Sequence, residues 1–184
     1  MDIENEYKRR RILKAGGDYN LEWCRWRVLG GQSKRKKEIF NPNPKGYIHG
    51  ALTLRNTLYA FFGPDENRPT ASMRSYSFKS CEWKEWPDCN LPPARDSFGL
   101  SVYQNEIYMF GGSSYDTQFG DMHVFNTLTC TWQPTDSSIT PSPRNPLVFT
   151  EIGETILLYG GVNVESGAIL NDAFLWVDKQ WLPV

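Results

Sequence analysis

Leu58-Tyr59-Ala60-Phe61-Phe62-Gly63, Ile107-Tyr108-Met109-Phe110-Gly111-Gly112 and Ile156-Leu157-Leu158-Tyr159-Gly160-Gly161 lie one above another when the chain is shifted against itself by 49 residues. Trp83, Trp132 and Trp181 share a register at the same shift, as do Pro44 with Pro93, Gly50 with Gly99, and Arg95 with Arg144. Each glycine that closes the apolar run stands 20 residues before its tryptophan. A gap-free match over three units is an internal repeat, and a repeat decides the architecture before any single element is assigned.

Within each unit the pattern reads as four short strands. The first covers 50–54, 99–103 and 148–152, and a polar turn follows it (Arg55-Asn56-Thr57, Gln104-Asn105-Glu106, Gly153-Glu154-Thr155) that is short enough for a hairpin. The second strand is the apolar run ending at glycine; it is apolar at nearly every position, which predicts cover on both faces. The third covers 73–78, 122–126 and 173–177, and the fourth begins at each repeat tryptophan. One such sheet cannot bury both of its faces. Stacking successive sheets around an axis does, and that is the β-propeller solution.

An apolar strand ending in Gly-Gly, a proline and an arginine ahead of the first strand, and a tryptophan about twenty residues after the glycines together resemble the kelch-repeat family. The likeness covers 45–184 and is fullest in the unit with Pro93, Arg95, Gly111, Gly112, Asp121 and Trp132. The unit from Pro44 departs from it, with Gly46 in place of the arginine, Phe62 in place of the first glycine, and Ser72 where Asp121 and Asp172 stand. The fold class expected is all-β, a partial kelch-type propeller of four-stranded antiparallel blades.

The chain divides on this reading into a basic segment at 1–19 (a disordered stretch or the remnant of a blade), a partial repeat at 20–44, repeats at 45–93 and 94–142, and a repeat at 143–184 that stops early in its fourth strand. The partial repeat rests on Glu22-Trp23-Cys24-Arg25-Trp26, which echoes Glu82-Trp83-Lys84-Glu85-Trp86. Propellers use about 4–8 blades, so three blades do not close a ring. The expectation is a fragment lacking further repeats, or a half-ring that closes as a homodimer.

Net charge is −1, which gives no global attraction to nucleic acid or membrane. The distribution is uneven: 1–50 hold 12 Lys/Arg against 6 Asp/Glu, and 51–184 hold 8 against 15. No stretch is long and apolar enough for a membrane span. Cys24, Cys81, Cys89 and Cys130 show no CxxC spacing, and the start lacks an apolar signal core, so a cytoplasmic or nuclear setting is expected.

No catalytic constellation is evident, and no cofactor or metal is expected. The glycine pairs lack the GxGxxG or GxxxxGK[ST] context of a phosphate loop, and close backbone approach with positive φ explains them better. His49 and His123 have no spaced metal-binding companions. Two isolated histidines cannot build a galactose-oxidase-like copper site, and the Ser-x-Asp-x-Gly-x-x-Trp boxes of sialidases do not occur. The repeat tryptophans read as core. Trp86, Trp176, Trp23 and Trp26 stand outside that register or in the weak unit, which leaves them candidates for exposure to a ligand. Cys89 falls in a loop and is a candidate redox thiol.

In an up-and-down blade, the loops between second and third strands share one rim with the linkers between blades. These segments differ most among the units, and variable loops on a rigid scaffold are where recognition sits. The candidate contacts for a protein partner are Asp65, Glu66, Asn67, Arg68, Tyr115, Asp116, Gln118, Asn163 and Glu165. Arg95 and Arg144 are expected to bridge neighbouring blades, with an arginine ring that grips an acidic peptide as the alternative. The family likeness implies an adaptor: a ubiquitin-ligase substrate receptor, an actin-binding protein or a scaffold. The basic clusters Lys8-Arg9-Arg10-Arg11 and Lys34-Arg35-Lys36-Lys37 support a second, less favoured reading as a nuclear or nucleic-acid-associated protein.

Overall fold

The computed structural model describes residues 48–62, 72–80, 82–86, 89–146 and 148–184. The chain divides into two units, Met1–Lys37 and Glu38–Val184, and every described residue belongs to the second. The segment 1–19, the partial repeat at 20–44 and both basic clusters lie outside the described residues.

Among the described residues, twelve strands form three four-stranded sheets. The first blade holds β1 (Ile48–Leu54), β2 (Thr57–Phe62), β3 (Ser72–Ser77) and β4 (Glu82–Glu85). The second holds β5 (Gly99–Tyr103), β6 (Glu106–Phe110), β7 (Met122–Asn126) and β8 (Thr131–Pro134). The third holds β9 (Val148–Ile152), β10 (Thr155–Asn163), β11 (Ala168–Val177) and β12 (Gln180–Pro183). In each sheet the strands neighbour one another in chain order and run antiparallel. The expected all-β, four-stranded blades of a partial kelch-type propeller are therefore observed, and the three sheets do not close a ring.

Two expectations about the third blade are corrected. β12 is as long as β4 and β8, so this blade has its full fourth strand. The connection between the second and third strands, expected as a rim loop, is mostly a hairpin arm, because β10 runs on to Asn163 and β11 starts at Ala168. The arm makes this connection two residues longer than its counterpart in the second blade. That insertion hid the register of Trp176. Ile107 pairs with Phe125 and Ile156 pairs with Trp176, so Trp176 occupies the place of Phe125. Both are buried, and Trp176 is not available to a ligand.

The cores lie between blades. Ile107 and Met109 of β6 join Tyr59, Phe61 and Met73 of the first blade, while Tyr108 and Phe110 join Phe149, Ile156, Leu158 and Trp181 of the third. Successive residues of one strand thus serve opposite interfaces, which is why the apolar runs do not alternate with polar residues. Each repeat tryptophan faces the preceding blade. Trp132 packs edge-on against Phe61 with its indole N–H directed to Met73 Sδ at 3.4 Å, and Trp181 packs against Phe110 and Trp176. Full burial of side chains this large contributes about 2–3 kcal/mol each. Trp83 keeps the same place in its blade, packing at a tilt on Tyr76, but is only half-buried. Trp86, expected as a candidate for exposure, is half-buried between the first two blades, donating its indole N–H to Ser75 Oγ.

The inner strands approach most closely at glycine. A Cβ on Gly50 would stand 2.7 Å from Leu100, and one on Gly99 would stand 2.5 Å from Phe149 Cβ. The linkers do not stay on the rim. Cys89 O accepts from Trp132 N and Ser137 Oγ accepts from Trp181 N, so each linker dips along the outer strand of the next blade. This buries Cys89 in the core with its thiol on Trp86 O, and it is not an accessible redox thiol.

Gly112 and Gly153 provide a direct test of why the glycines recur. Both have positive φ, but a Cβ at Gly112 would collide with Asp96 O while one at Gly153 meets nothing within 4 Å. Gly153→Ala should cost about 1–2 kcal/mol, and Gly112→Ala that amount plus about 1–3 kcal/mol for overpacking. Urea unfolding of the two variants checks the ordering.

Candidate functional site

The rim formed by the β2–β3, β6–β7 and β10–β11 connections is the site the sequence singles out. Its structure begins with the glycine pair at the end of β6. Gly111 and Gly112 have φ of 66° and 91°, which turns the chain so that Gly112 N reaches Arg144 O and Gly111 N reaches Asp121 O. Arg144 N in turn donates to Phe119 O. The bridge between the second and third blades is thus made by the backbone of Arg144.

The guanidinium groups have a different task from the one expected. Arg95 donates to Pro93 O and Gly111 O, and meets Asp121 with both Nη atoms, at 2.5 and 3.1 Å. Arg144 repeats this one blade later with Ser142 O, Gly160 O and Asp172. Each arginine therefore staples the linker to the β2–β3-type connection of its own blade. Arg95 is 2% exposed and Arg144 0%, with every face of the fork engaged. Neither can grip an acidic peptide, and the expectation of a rim arginine ring is corrected for that reason.

Asp121 and Asp172 are correspondingly acidic. For Asp121, burial pushes the pKa up, but hydrogen bonds from His123 at 2.7 Å and from Arg95 overcome it and hold the carboxyl far below the usual range. Asp172 is lowered chiefly by its hydrogen bonds from Arg144. His123 thus belongs to this staple. Among the described residues no group of three or more His, Cys, Asp and Glu could hold a metal ion.

The remaining rim candidates separate into two kinds. Gln118 is a clamp: its amide donates to Val162 O at 2.9 Å and its carbonyl accepts from Val164 N at 2.8 Å, fixing the β6–β7 loop to the arm of the third blade. Asn163 holds the arm's turn by accepting from Ser166 N and Oγ, and donates to Pro143 O. Tyr115, Asp116 and Glu165 project into solvent. Tyr115 is 83% exposed at the tip of a turn closed by Ser114 N to Thr117 O. Glu165 stands at the exposed tip of the arm. Asp65, Glu66, Asn67 and Arg68 lie outside the described residues. Sequence reasoning missed Val162, Val164 and Ile169, which are 40%, 55% and 85% exposed on the arm. An extra pair of residues in this connection was the available signal.

The repeated unit that builds these blades also identifies the family. Residues 20–181 match the KLHDC2/KLHL20/DRC7 Kelch-repeats domain. The chain belongs to the kelch-repeat family. No curated protein matches it. Kelch-repeat domains commonly mediate protein–protein interaction and are typically non-enzymatic. In this kelch chain the residues that recur between the second and third blades are committed to the scaffold, and the exposed tips carry residues that differ between those two blades.

The staples make stability depend on acid pH in a defined direction. A carboxyl whose folded pKa is depressed stabilises the fold above its unfolded value of about 3.9, and that contribution is lost as pH falls through the folded value. Urea midpoints should therefore fall from about pH 5 downward, and fall less steeply in the Asp121→Asn, Asp172→Asn double variant. Asp172→Ala at neutral pH leaves Arg144 buried with one partner missing. Because Asp172 is partly exposed and Arg144 keeps its carbonyl bonds, the cost should be up to about 3 kcal/mol.

Proposed function

We propose that this kelch domain is an adaptor that holds a protein partner on the rim carrying Tyr115, Asp116 and the β10–β11 arm. The observation that carries the reading is the division of labour at that rim. Gln118, Asn163, Arg95 and Arg144 rigidify it from within, and Tyr115, Val164, Glu165 and Ile169 are left exposed on top. A large aromatic held at a turn tip is an efficient contact, because little side-chain entropy is lost when it is covered. Exposed apolar side chains grouped on a clamped arm favour a partner surface over a small molecule.

The fuller form of this reading is a substrate receptor that presents the bound protein to a ubiquitin ligase, acting in the cytoplasm; a passive scaffold is the simpler form. The two differ in what else the adaptor binds. A receptor co-purifies with ligase subunits and its partner accumulates when the adaptor is depleted. A scaffold shows neither behaviour.

The rim itself is tested by affinity capture with wild-type and Tyr115→Ala, Asp116→Ala chains. Partner recovery should drop roughly tenfold or more, with the thermal midpoint unchanged, since neither side chain supports the fold. Unchanged recovery would remove the rim as the binding face.

A further inference from the structure

The arm of the third blade carries main-chain groups with no internal use. Val162 N donates to Asn145 O at 3.0 Å, and Val162 O accepts from Asn145 N at 2.9 Å. Both main-chain groups of Val162 therefore point away from β11. Its cross-strand partner is Ile169, and in an antiparallel ladder a residue opposite such a position turns its own N–H and C=O to the far side. On that far side β12 pairs only with Phe174 to Val177, and Val184 N reaches Ala173 O. No described residue covers the strand edge at Ile169.

Open edges are normally guarded by lysine, proline or a bulky cover. The arm from 160 to 172 contains no Lys, Arg or Pro. Its exposed face instead shows Ile169 beside Val162, with Val164 at the turn. The charge that the arm itself carries is of one sign. Glu165 stands exposed at its tip and Asp172 at its base, and the arginine that meets Asp172, Arg144, is buried.

We infer that the open edge of β11 at Ile169 is a docking strand for an extended segment of a partner protein in which apolar and cationic side chains alternate. The segment adds to the arm as a further antiparallel strand. It takes hydrogen bonds from and to the Ile169 main chain, lays its apolar side chains on Ile169, and sets its lysines or arginines toward Glu165. A second copy of this chain is the poorer occupant, because its arm brings the same carboxylates and no cation. The inference rests on the rim reading above and gives that rim a partner chemistry.

The test uses the full chain and a fluorescein-labelled peptide of alternating valine and lysine, followed by fluorescence anisotropy. Ile169→Pro removes the outward N–H without breaking the ladder to β10, so it should melt like wild type and bind the peptide roughly tenfold more weakly. The same peptide N-methylated at alternate residues reads the same bonds from the ligand side, and should bind as weakly even if the variant folds poorly. Glu165→Lys should weaken binding and flatten its salt dependence. Equal binding of the N-methylated peptide, equal binding of a valine–glutamate peptide, self-association lost in Ile169→Pro, or no binding at all would each overturn the inference. Binding lost in Tyr115→Ala but kept in Ile169→Pro would overturn the edge alone and leave the rim reading standing.

Discussion

The contact on which the rest of the structure depends is the approach of each linker to the glycine pair at the end of the second strand. Gly112 admits Asp96 O and donates to Arg144 O, so one turn is held by the linkers of two blades. A side chain there would push both away. The arginines secure the arrangement from behind, each tying its linker carbonyls and the turn to one carboxylate. The fork geometry of guanidinium suits this, since it donates to several oxygens in one plane and stays charged when buried. Hydrophobic burial between blades supplies most of the stabilisation, but it is non-directional. The glycine turn and its staple set the angle at which one blade meets the next.

Most of the architecture was legible in the sequence because it is written three times. Strands 99–103, 122–126 and 148–152 are found where the repeat places them, and the fully buried β6 follows from its unbroken apolar run. The roles of single side chains were less legible. Arg95 and Arg144 stand in register, which signals a shared structural duty, yet the register does not say whether a guanidinium reaches forward to the next blade or back into its own. Trp176 was misplaced by the arm's two extra residues, which shift β11 alone, because a β11–β12 turn two residues shorter restores the register at Trp181. Gln118 carries no local mark of its clamp, because its partners lie 44 and 46 residues away. Cys89 looked like loop because the linker has no strand pattern, although its backbone pairs with Trp132.

The two sets of rim residues show how one scaffold separates rigidity from recognition. Residues repeated between blades are spent on turns, staples and cores. Residues that occur in one blade only, such as Gln118, Tyr115 and the arm, individualise the surface. The clamp matters for recognition because it fixes the arm before a ligand arrives, so that less conformational entropy is lost on binding.

One position among the inner strands breaks the pattern. Gly50 and Gly99 permit the next blade's inner strand to come within contact of the backbone, whereas the residue in the same register of the third blade is Val148. An isopropyl group there acts as a spacer. A strand laid against that position meets a branched side chain where the first two blades offer bare backbone. The third blade thus presents a shaped surface with its own steric demand.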